Sequence, residues 1–268
     1  EAHTACICLD QEKAFARCSR ATLTPTFHSQ GIAPNKRRQV ATLYNMERPL
    51  RRRIRFGADC SDWYYVRSGV PQGDGFSPIC YILIMEGLSR LIEQDQNIKG
   101  VTVNDITYKL NLYADDTVVY LAGATAADVS AQISALWQVL TVFEEATGAK
   151  INKDKTEGLA IGALRQHQLA GHTLPHAELV GWLQEGTYTK VLGTPLGNNF
   201  DTNEFWQKIY KTFIERLASW RHRIPGLVPE SRIPIISALC LSLFWYQVQS
   251  LCPSAAVGKS LKRDIEYF

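Results

Sequence analysis

Tyr113-Ala114-Asp115-Asp116-Thr117 is the stretch on which the reading of this chain turns. It joins two runs of strand character. Lys109-Leu110-Asn111-Leu112-Tyr113-Ala114 alternates polar and apolar residues, the period of a half-buried strand. Val118-Val119-Tyr120-Leu121 is β-branched and aromatic, which also favours strand. Asp-Asp between two such runs predicts a tight hairpin with both carboxylates at its tip. Like charges held together repel, and folding gains nothing from the pair unless a cation or a basic partner neutralises it. A hard divalent ion with oxygen ligands, such as magnesium, is one answer. A solvated turn is the other, because Asp favours turns for local hydrogen-bonding reasons. The segment by itself leaves both open.

Upstream, Thr4-Ala5-Cys6-Ile7-Cys8-Leu9 reads as a buried strand that ends on Asp10, with Cys6 and Cys8 on one face in the core. If it pairs with the hairpin in one antiparallel sheet, Asp10, Asp115 and Asp116 converge at one end. Gln11 to Arg20 begins a polar, helical stretch. A helix from Asn35 to Met46 follows Pro34, with Val40, Leu43 and Tyr44 inward. Arg53-Ile54-Arg55-Phe56 and Trp63-Tyr64-Tyr65-Val66 flank a six-residue connection, which predicts a hairpin with a longer loop. Gly69-Val70-Pro71-Gln72-Gly73-Asp74-Gly75 is too rich in Gly and Pro for regular structure. It enters a helix at Ser77-Pro78, and that helix runs to about Gln94 with Ile79, Ile82, Leu83, Leu88, Leu91 and Ile92 buried. Glycines that free backbone amides at such a place let a phosphate lie close, although a plain turn has the same composition.

Downstream, Thr125 and Asp128 form a capping box ahead of Val129, Ile133, Leu136, Leu140 and Phe143, an amphipathic helix that Gly148 closes. Thr156 to Ile161 is a further strand. Residues 163–187 read as an irregular insertion whose His167, His172 and His176 lack further ligands and do not make a metal site. Tyr188 to Gly197 is a short strand and turn. Phe205, Trp206, Ile209, Tyr210, Phe213, Leu217 and Trp220 then form an aromatic helical stripe, and an apolar helix follows from about Ile235. The change of character puts a boundary near residue 200.

At 268 residues and 46% hydrophobic content the chain can bury a core, in one large domain or two small ones. A net charge of +3 is mild. Its distribution is not. Lys36, Arg37, Arg38, Arg48, Arg51, Arg52, Arg53 and Arg55 stand against Glu47 alone between positions 36 and 55. Such a cluster is a candidate phosphate-contacting face, or a solvated surface. The seven cysteines show no Cys-x-x-Cys pair, which argues against a disulfide framework or zinc site and fits a reduced intracellular compartment. From Ile233 to Gly258 no residue is charged, but the strongly apolar part is about 14 residues, short of the roughly 20 a membrane span needs. A buried or partner-facing helix is expected there and no membrane. The chain opens on Glu1 directly ahead of a strand, which predicts a fragment.

Five segments, in order over most of residues 4–250, carry a resemblance. Asp10-Gln11-Glu12-Lys13-Ala14-Phe15 resembles D-x-x-K-A-F. Gly69-Val70-Pro71-Gln72-Gly73 with Ser77-Pro78 resembles G-V-x-Q-G-x-x-x-S-P. Tyr113-Ala114-Asp115-Asp116 matches Y-A-D-D. Gly148-Ala149-Lys150-Ile151-Asn152 with Lys155 resembles G-x-x-I-N-x-x-K. Leu192-Gly193-Thr194-Pro195-Leu196-Gly197 resembles the primer-grip turn L-G-x-x-x-G. Together they resemble the reverse transcriptase domain of a non-LTR (LINE-type) retrotransposon, N-terminally truncated.

The resemblance implies an α+β fold: a right-hand polymerase palm, partial fingers and the start of an α-helical thumb. Residues 1–199 would be palm with a finger-like insertion over about 20–68, and 200–268 the thumb-like segment. It implies an RNA-directed DNA polymerase, a nucleotidyltransferase joining dNTPs to a primer 3′-hydroxyl on an RNA template. Asp10, Asp115 and Asp116 would hold two magnesium ions, with manganese the alternative. Gln11, Glu12, Lys13 and Ala14 would offer backbone amides to the triphosphate, and Phe15 would exclude a 2′-hydroxyl. Gln72 and Gly73 would meet the nucleotide, and Lys155 a phosphate. Lys36, Arg37, Arg38, Arg51, Arg53, Arg55, Leu192 and Gly193 would face nucleic acid. Partners would include the RNA template, DNA primer and missing fingers and endonuclease parts, in the nucleus. Two departures stand out. Ala16 replaces the usual Asp after K-A-F, and Asp74 adds a carboxylate where nucleic acid should pass. An inactive nucleic-acid-binding remnant is the alternative. An RNA-dependent RNA polymerase is disfavoured by Phe15 and by Ala114 where Gly is usual.

Overall fold

The computed structural model describes residues 2–44, 50–221, 223, 226 and 228–267. The chain divides into two units, Glu1–Leu183 and Gln184–Phe268. In the first, β1 (His3–Leu9) precedes three helices, α1 (Ala14–Arg17), α2 (Arg20–Ser29) and α3 (Pro34–Leu43). A ribbon follows, made of β2 (Leu50–Arg52), β3 (Arg55–Phe56), β4 (Asp59–Cys60) and β5 (Tyr64–Val66). Then come α4 (Ser77–Gln94), the small hairpin β6 (Val101–Val103) and β7 (Ile106–Tyr108), and the hairpin β8 (Leu110–Tyr113) and β9 (Asp116–Gly123). The unit ends with α5 (Ala126–Thr147), β10 (Glu157–Gly162), α6 (Ala163–Leu169) and β11 (Gly181–Trp182).

The principal sheet has the order β11-β10-β1-β9-β8, antiparallel except for the β10–β11 pair. Its middle strand is β1, whose alternate residues Ala5, Ile7 and Leu9 join Val119, Leu121 and Ala160 in the core. Against this face pack Leu23 and Phe27 of α2, Ile84 and Leu88 of α4, and Val129, Ile133, Leu136, Leu140 and Phe143 of α5. The five expected α5 residues are all buried, because a capping box on Thr125 and a left-handed Gly148 fix both ends of that helix. The result is the mixed α+β class with an antiparallel-rich sheet that the sequence predicts.

Several local expectations need correction. In α4, Ile79, Ile82 and Leu91 face solvent, while Cys80, Tyr81, Ile84, Met85, Leu88 and Ile92 are buried. Apolar residues surround this helix, so their spacing did not choose a face. Leu43 is exposed, because α3 ends there and turns Val40 and Tyr44 inward instead; Met46 lies outside the described residues. The stretch after Gln11 is not one helix. Lys13 adopts a left-handed conformation, and Ser19 breaks α1 from α2 by donating its amide to Thr147 O. Residues 163–187 contain α6 and the parallel strand β11, so they are not irregular throughout. The hairpin expected from Arg53 to Val66 begins earlier, at Leu50, and forms in two tiers, β2 with β5 and β3 with β4.

The second unit contains β12 (Tyr188–Val191), β13 (Thr194–Gly197), α7 (Thr202–Arg221), α8 (Pro229–Ile235), a π turn at Ile236–Leu241, α9 (Ser242–Val248) and α10 (Ala255–Glu266). Tyr188 packs on Phe200 and Phe205, which joins the β12–β13 hairpin to the start of α7. The aromatic stripe of α7 is core. Phe205, Trp206, Phe213 and Leu217 are buried with Cys240, Phe244 and Val257, and the Trp206 and Phe244 rings stack 5.9 Å apart. Among the described residues, Ser231–Val248 is one helix long and apolar enough to cross a membrane by length and composition, with 17% of it buried.

Candidate active site

β8 and β9 close through Ala114-Asp115, with Tyr113 paired to Asp116. Ala114 has φ 55° and Asp115 does not share the positive angle. Positive φ at the first loop position alone is the II′ pattern, which ordinarily takes glycine. An alanine there bears left-handed strain of roughly 1–2 kcal/mol. Both aspartates at this tip are exposed. Across the sheet, Leu9 lies opposite Thr117 and Cys8 opposite Val118. Asp10 follows the last residue of β1, and Asp116 is the first residue of β9.

The two tip carboxylates act on different neighbours. Burial pushes the Cys8 thiol up to about 12, and Cys6, Glu157 and Asp116 add to the shift. The Tyr81 hydroxyl is raised by burial first and then by the charge of Asp115. Beside them Thr117 Oγ1 is buried without a hydrogen-bond partner. Three carboxylates are a hard-oxygen donor set suited to a divalent cation. Among the described residues, however, no group of three His, Cys, Asp or Glu side chains stands ready to hold a metal ion. The three carboxylates follow from neighbouring strands of one sheet, and their side chains do not form a ready cation cluster.

The segment after Asp10 is held from three sides. Asn152 donates to Asp10 O at 2.8 Å, and Glu12 donates its amide to Lys150 O at 2.9 Å, so Lys150-Ile151-Asn152 lies against it. Glu12 therefore has no amide left for a ligand, and its carboxylate is paired with Arg17 at 2.6 Å. Gln11 turns inward, accepting from the Tyr81 hydroxyl at 2.8 Å and donating to Met85 Sδ. Phe15 is half-buried and stacks on Tyr81 with centroids 4.9 Å apart. Lys13 and Ala14 lie at the turn into α1, Lys13 exposed and with φ 49°.

The glycine-rich loop docks on the same segment. Gly69 donates to Cys18 O and Val70 to Phe15 O. Gly69 comes so close that an added Cβ would sit 2.7 Å from Ala16 O, so only glycine fits. Gln72 and Gly73 are exposed beyond this anchor. Asp74 does not point idly at solvent. It accepts from the Tyr44 hydroxyl at 2.7 Å and from Ser77 and the Phe76 amide, and these bonds, Tyr44 first, hold its carboxyl below the ordinary range. It fixes the entry to α4.

The remaining candidates are more scattered. Lys155 is exposed on a short 3-10 turn. Lys36 and Arg38 are exposed on α3, while Arg37 is half-buried. Arg51, Arg53 and Arg55 are exposed on the ribbon. Leu192 and Gly193 form the two-residue loop of β12–β13, in the second unit. His176 is held by Ser130, Ser134 and Glu178, and His167 stacks on His172. Sequence reading missed three residues. Tyr81 backs both Gln11 and Phe15. Tyr44 anchors Asp74. Arg20, 6% exposed, donates to the carbonyls of Val66, Ser68 and Gly69 and so ties α2 to the foot of the ribbon. The spacing Arg20, Leu23, Phe27 was the available signal for a buried helical face, obscured by Pro25 in the helix.

The family described as reverse transcriptase (RNA-dependent DNA polymerase) matches residues 1–196. A Xenopus laevis protein named "Transposon TX1 uncharacterized 149 kDa protein" is 25% identical over 260 residues. That match covers 96% of this chain and 19% of the Xenopus protein, so the chain spans about a fifth of the relative's length.

Proposed function

The chain belongs to the reverse transcriptase (RNA-dependent DNA polymerase) family, and from that premise we propose that it is the nucleotidyl-transfer part of a non-LTR retrotransposon protein. It extends a DNA primer with dNTPs on an RNA template. The observation that supports the reading is the β1–β9 register, which pairs Leu9 with Thr117 next to Asp10 and Asp116, with the Gly69-Val70 loop bonded to the segment that carries Phe15. In this reading the principal sheet is the palm, residues from about 20 to 68 belong to the fingers and the α7–α10 helices begin a thumb.

The primer 3′-oxygen attacks the α-phosphorus, the α–β P–O bond breaks and pyrophosphate leaves. Asp10, Asp115 and Asp116 would hold magnesium or manganese. Bound there, such ions favour ionisation of the 3′-hydroxyl and neutralise the triphosphate. The amides of Gln11, Lys13 and Ala14 face the phosphates. Phe15, backed by the Tyr81 ring, leaves no room for a ribose 2′-hydroxyl. Gln72 contacts the nucleotide while Gly73 permits its close approach, and Lys155 contacts a phosphate. Lys36, Arg37, Arg38, Arg51, Arg53 and Arg55 neutralise template phosphates, and the Leu192-Gly193 turn contacts the primer strand. Other segments of a longer protein, in a nuclear setting, belong to the same proposal.

Primer extension on an RNA template with magnesium tests it. The expected result is dNTP incorporation by the wild-type chain and none by Asp115→Asn. Undiminished extension by that variant overturns the role of the tip.

A further inference from the structure

We propose that one face of the Leu50–Val66 ribbon is a stacking platform for an unpaired strand of nucleic acid. Arg51 lies opposite Tyr65 and Arg52 opposite Tyr64. One further step sets Arg53 opposite Trp63. Residues two apart share a face of a strand, so Arg51, Arg53, Trp63 and Tyr65 form a two-by-two patch on one side of the ribbon. The ring contacts agree with this register. The Arg51 and Arg53 guanidiniums lie 4.6 and 4.9 Å from the Trp63 ring centroid.

A guanidinium held over an indole ring can still turn N–H donors outward to phosphate oxygens. Neither Arg51 nor Arg53 is in an ion pair among the described residues. Trp63 and Tyr65 remain 49% and 63% exposed, and Phe56 at the outer tier is 86% exposed. A ribbon meant only for water would not leave these rings in it together with Tyr64, 44% exposed on the other face. From Leu50 to Arg67 five arginines face two aspartates, Asp59 and Asp62, so the occupant is anionic. Exposed rings interleaved with arginines suit a strand whose bases are free to stack. A duplex presents its phosphates and keeps its base faces to itself.

The platform is held firmly at its base. Arg20 fastens the carbonyls of Val66, Ser68 and Gly69, and Ser68 Oγ donates to Ala16 O. The ribbon and the Phe15 segment thus share one anchored foot, and a strand stacked on the ribbon is held by the same framework that carries the nucleotide residues. This inference rests on the polymerase reading only for the class of partner.

The test measures binding in an Asp115→Asn background, so that failure of extension and failure of the platform are read separately. Fluorescence anisotropy with a short labelled single-stranded RNA is compared with the same sequence in an RNA–DNA duplex. Trp63→Ala/Tyr65→Ala is expected to weaken single-strand binding roughly tenfold to a hundredfold and duplex binding less than about twofold. Trp63→Phe/Tyr65→Phe keeps single-strand affinity, which excludes a folding defect. Arg51→Gln/Arg53→Gln lowers the single-strand salt slope by roughly 1.4, the release expected for two phosphate contacts. Equal losses on both ligands, or no loss with the alanine pair, would overturn the platform. No loss would leave a protein partner as the occupant of those rings.

Discussion

Two of the two-residue hairpin loops in the first unit differ in what explains them. Asn104-Asp105 joins β6 to β7 with φ angles of 49° and 63°, and Ala114-Asp115 joins β8 to β9 with φ 55° at Ala114 alone. Asn and Asp tolerate the left-handed region because their short side chains bond locally. Alanine has no such compensation, and the residues after it are two carboxylates. The first loop is explained by turning the chain. The second is not, since both its strain and its charge would vanish if glycine and a neutral residue stood there. Strain and paired like charges at one tip, where the neighbouring tip has Asn and a single Asp, are what the proposed catalytic role of Asp115 and Asp116 would explain. Leu192-Gly193 is intermediate, with one strained residue followed by glycine.

The largest test of that contrast is catalytic. Asp115→Asn should lower primer extension by at least about a thousandfold, since loss of a metal-neutralising carboxylate forfeits several kcal/mol of transition-state stabilisation. Asp105→Asn should leave it unchanged. Equal behaviour of the two variants breaks the comparison. Next, Phe15→Val should raise incorporation of NTPs relative to dNTPs by roughly 10- to 100-fold, the range open to a small change in pocket volume. Unaltered sugar preference in competition assays would remove Phe15 from the pocket.

A smaller effect is thermodynamic. Ala114→Gly should stabilise the first unit by about 0.5–1 kcal/mol, the left-handed strain less the entropy glycine adds to the unfolded chain. Asn104→Gly should change stability by only a few tenths. Urea unfolding reads both, and identical shifts would mean that Ala114 carries no strain. The smallest concerns Asp74, whose carboxyl the Tyr44 hydroxyl holds below its ordinary 3.8. A depressed folded value means that its stabilisation is fully present above 3.8 and is lost as pH falls through the folded value. The melting curves of wild type and Tyr44→Phe should therefore differ at neutral pH and converge in acid. A constant gap would show that Asp74 does not titrate against Tyr44.

Where one side chain had one plausible direction, the sequence was legible. α5 was readable from end to end because its caps and apolar stripe agreed. β1, β9 and β10 were readable because β-branched and apolar runs lay between clear breaks. α4 was misread at Ile79, Ile82 and Leu91, expected buried but exposed, since apolar residues circle it and the packing of Phe15 and Gln11 on Tyr81 and Met85 helps turn it. α2 was missed because Pro25 interrupts its pattern. At the candidate site the carboxylates and the glycine-rich loop could be named from spacing and resemblance. Their supports could not. Arg20, Tyr44 and Tyr81 act through contacts 30 to 70 residues away in sequence, and no local pattern encodes a distant carbonyl or ring.

The position of β1 also sets the order of events during synthesis. It leaves the ribosome ahead of every strand it will pair with, and its two neighbours begin only at Asp116 and Glu157. At about 5–20 residues per second, the second neighbour arrives roughly 7–30 s later. Through that interval an apolar strand with at least one edge open must be kept from pairing with other chains. The segment that ends in Asp10 is therefore made well before its second sheet partner, and a nascent chain stalled before β10 should depend on chaperones more than one in which β10 has emerged.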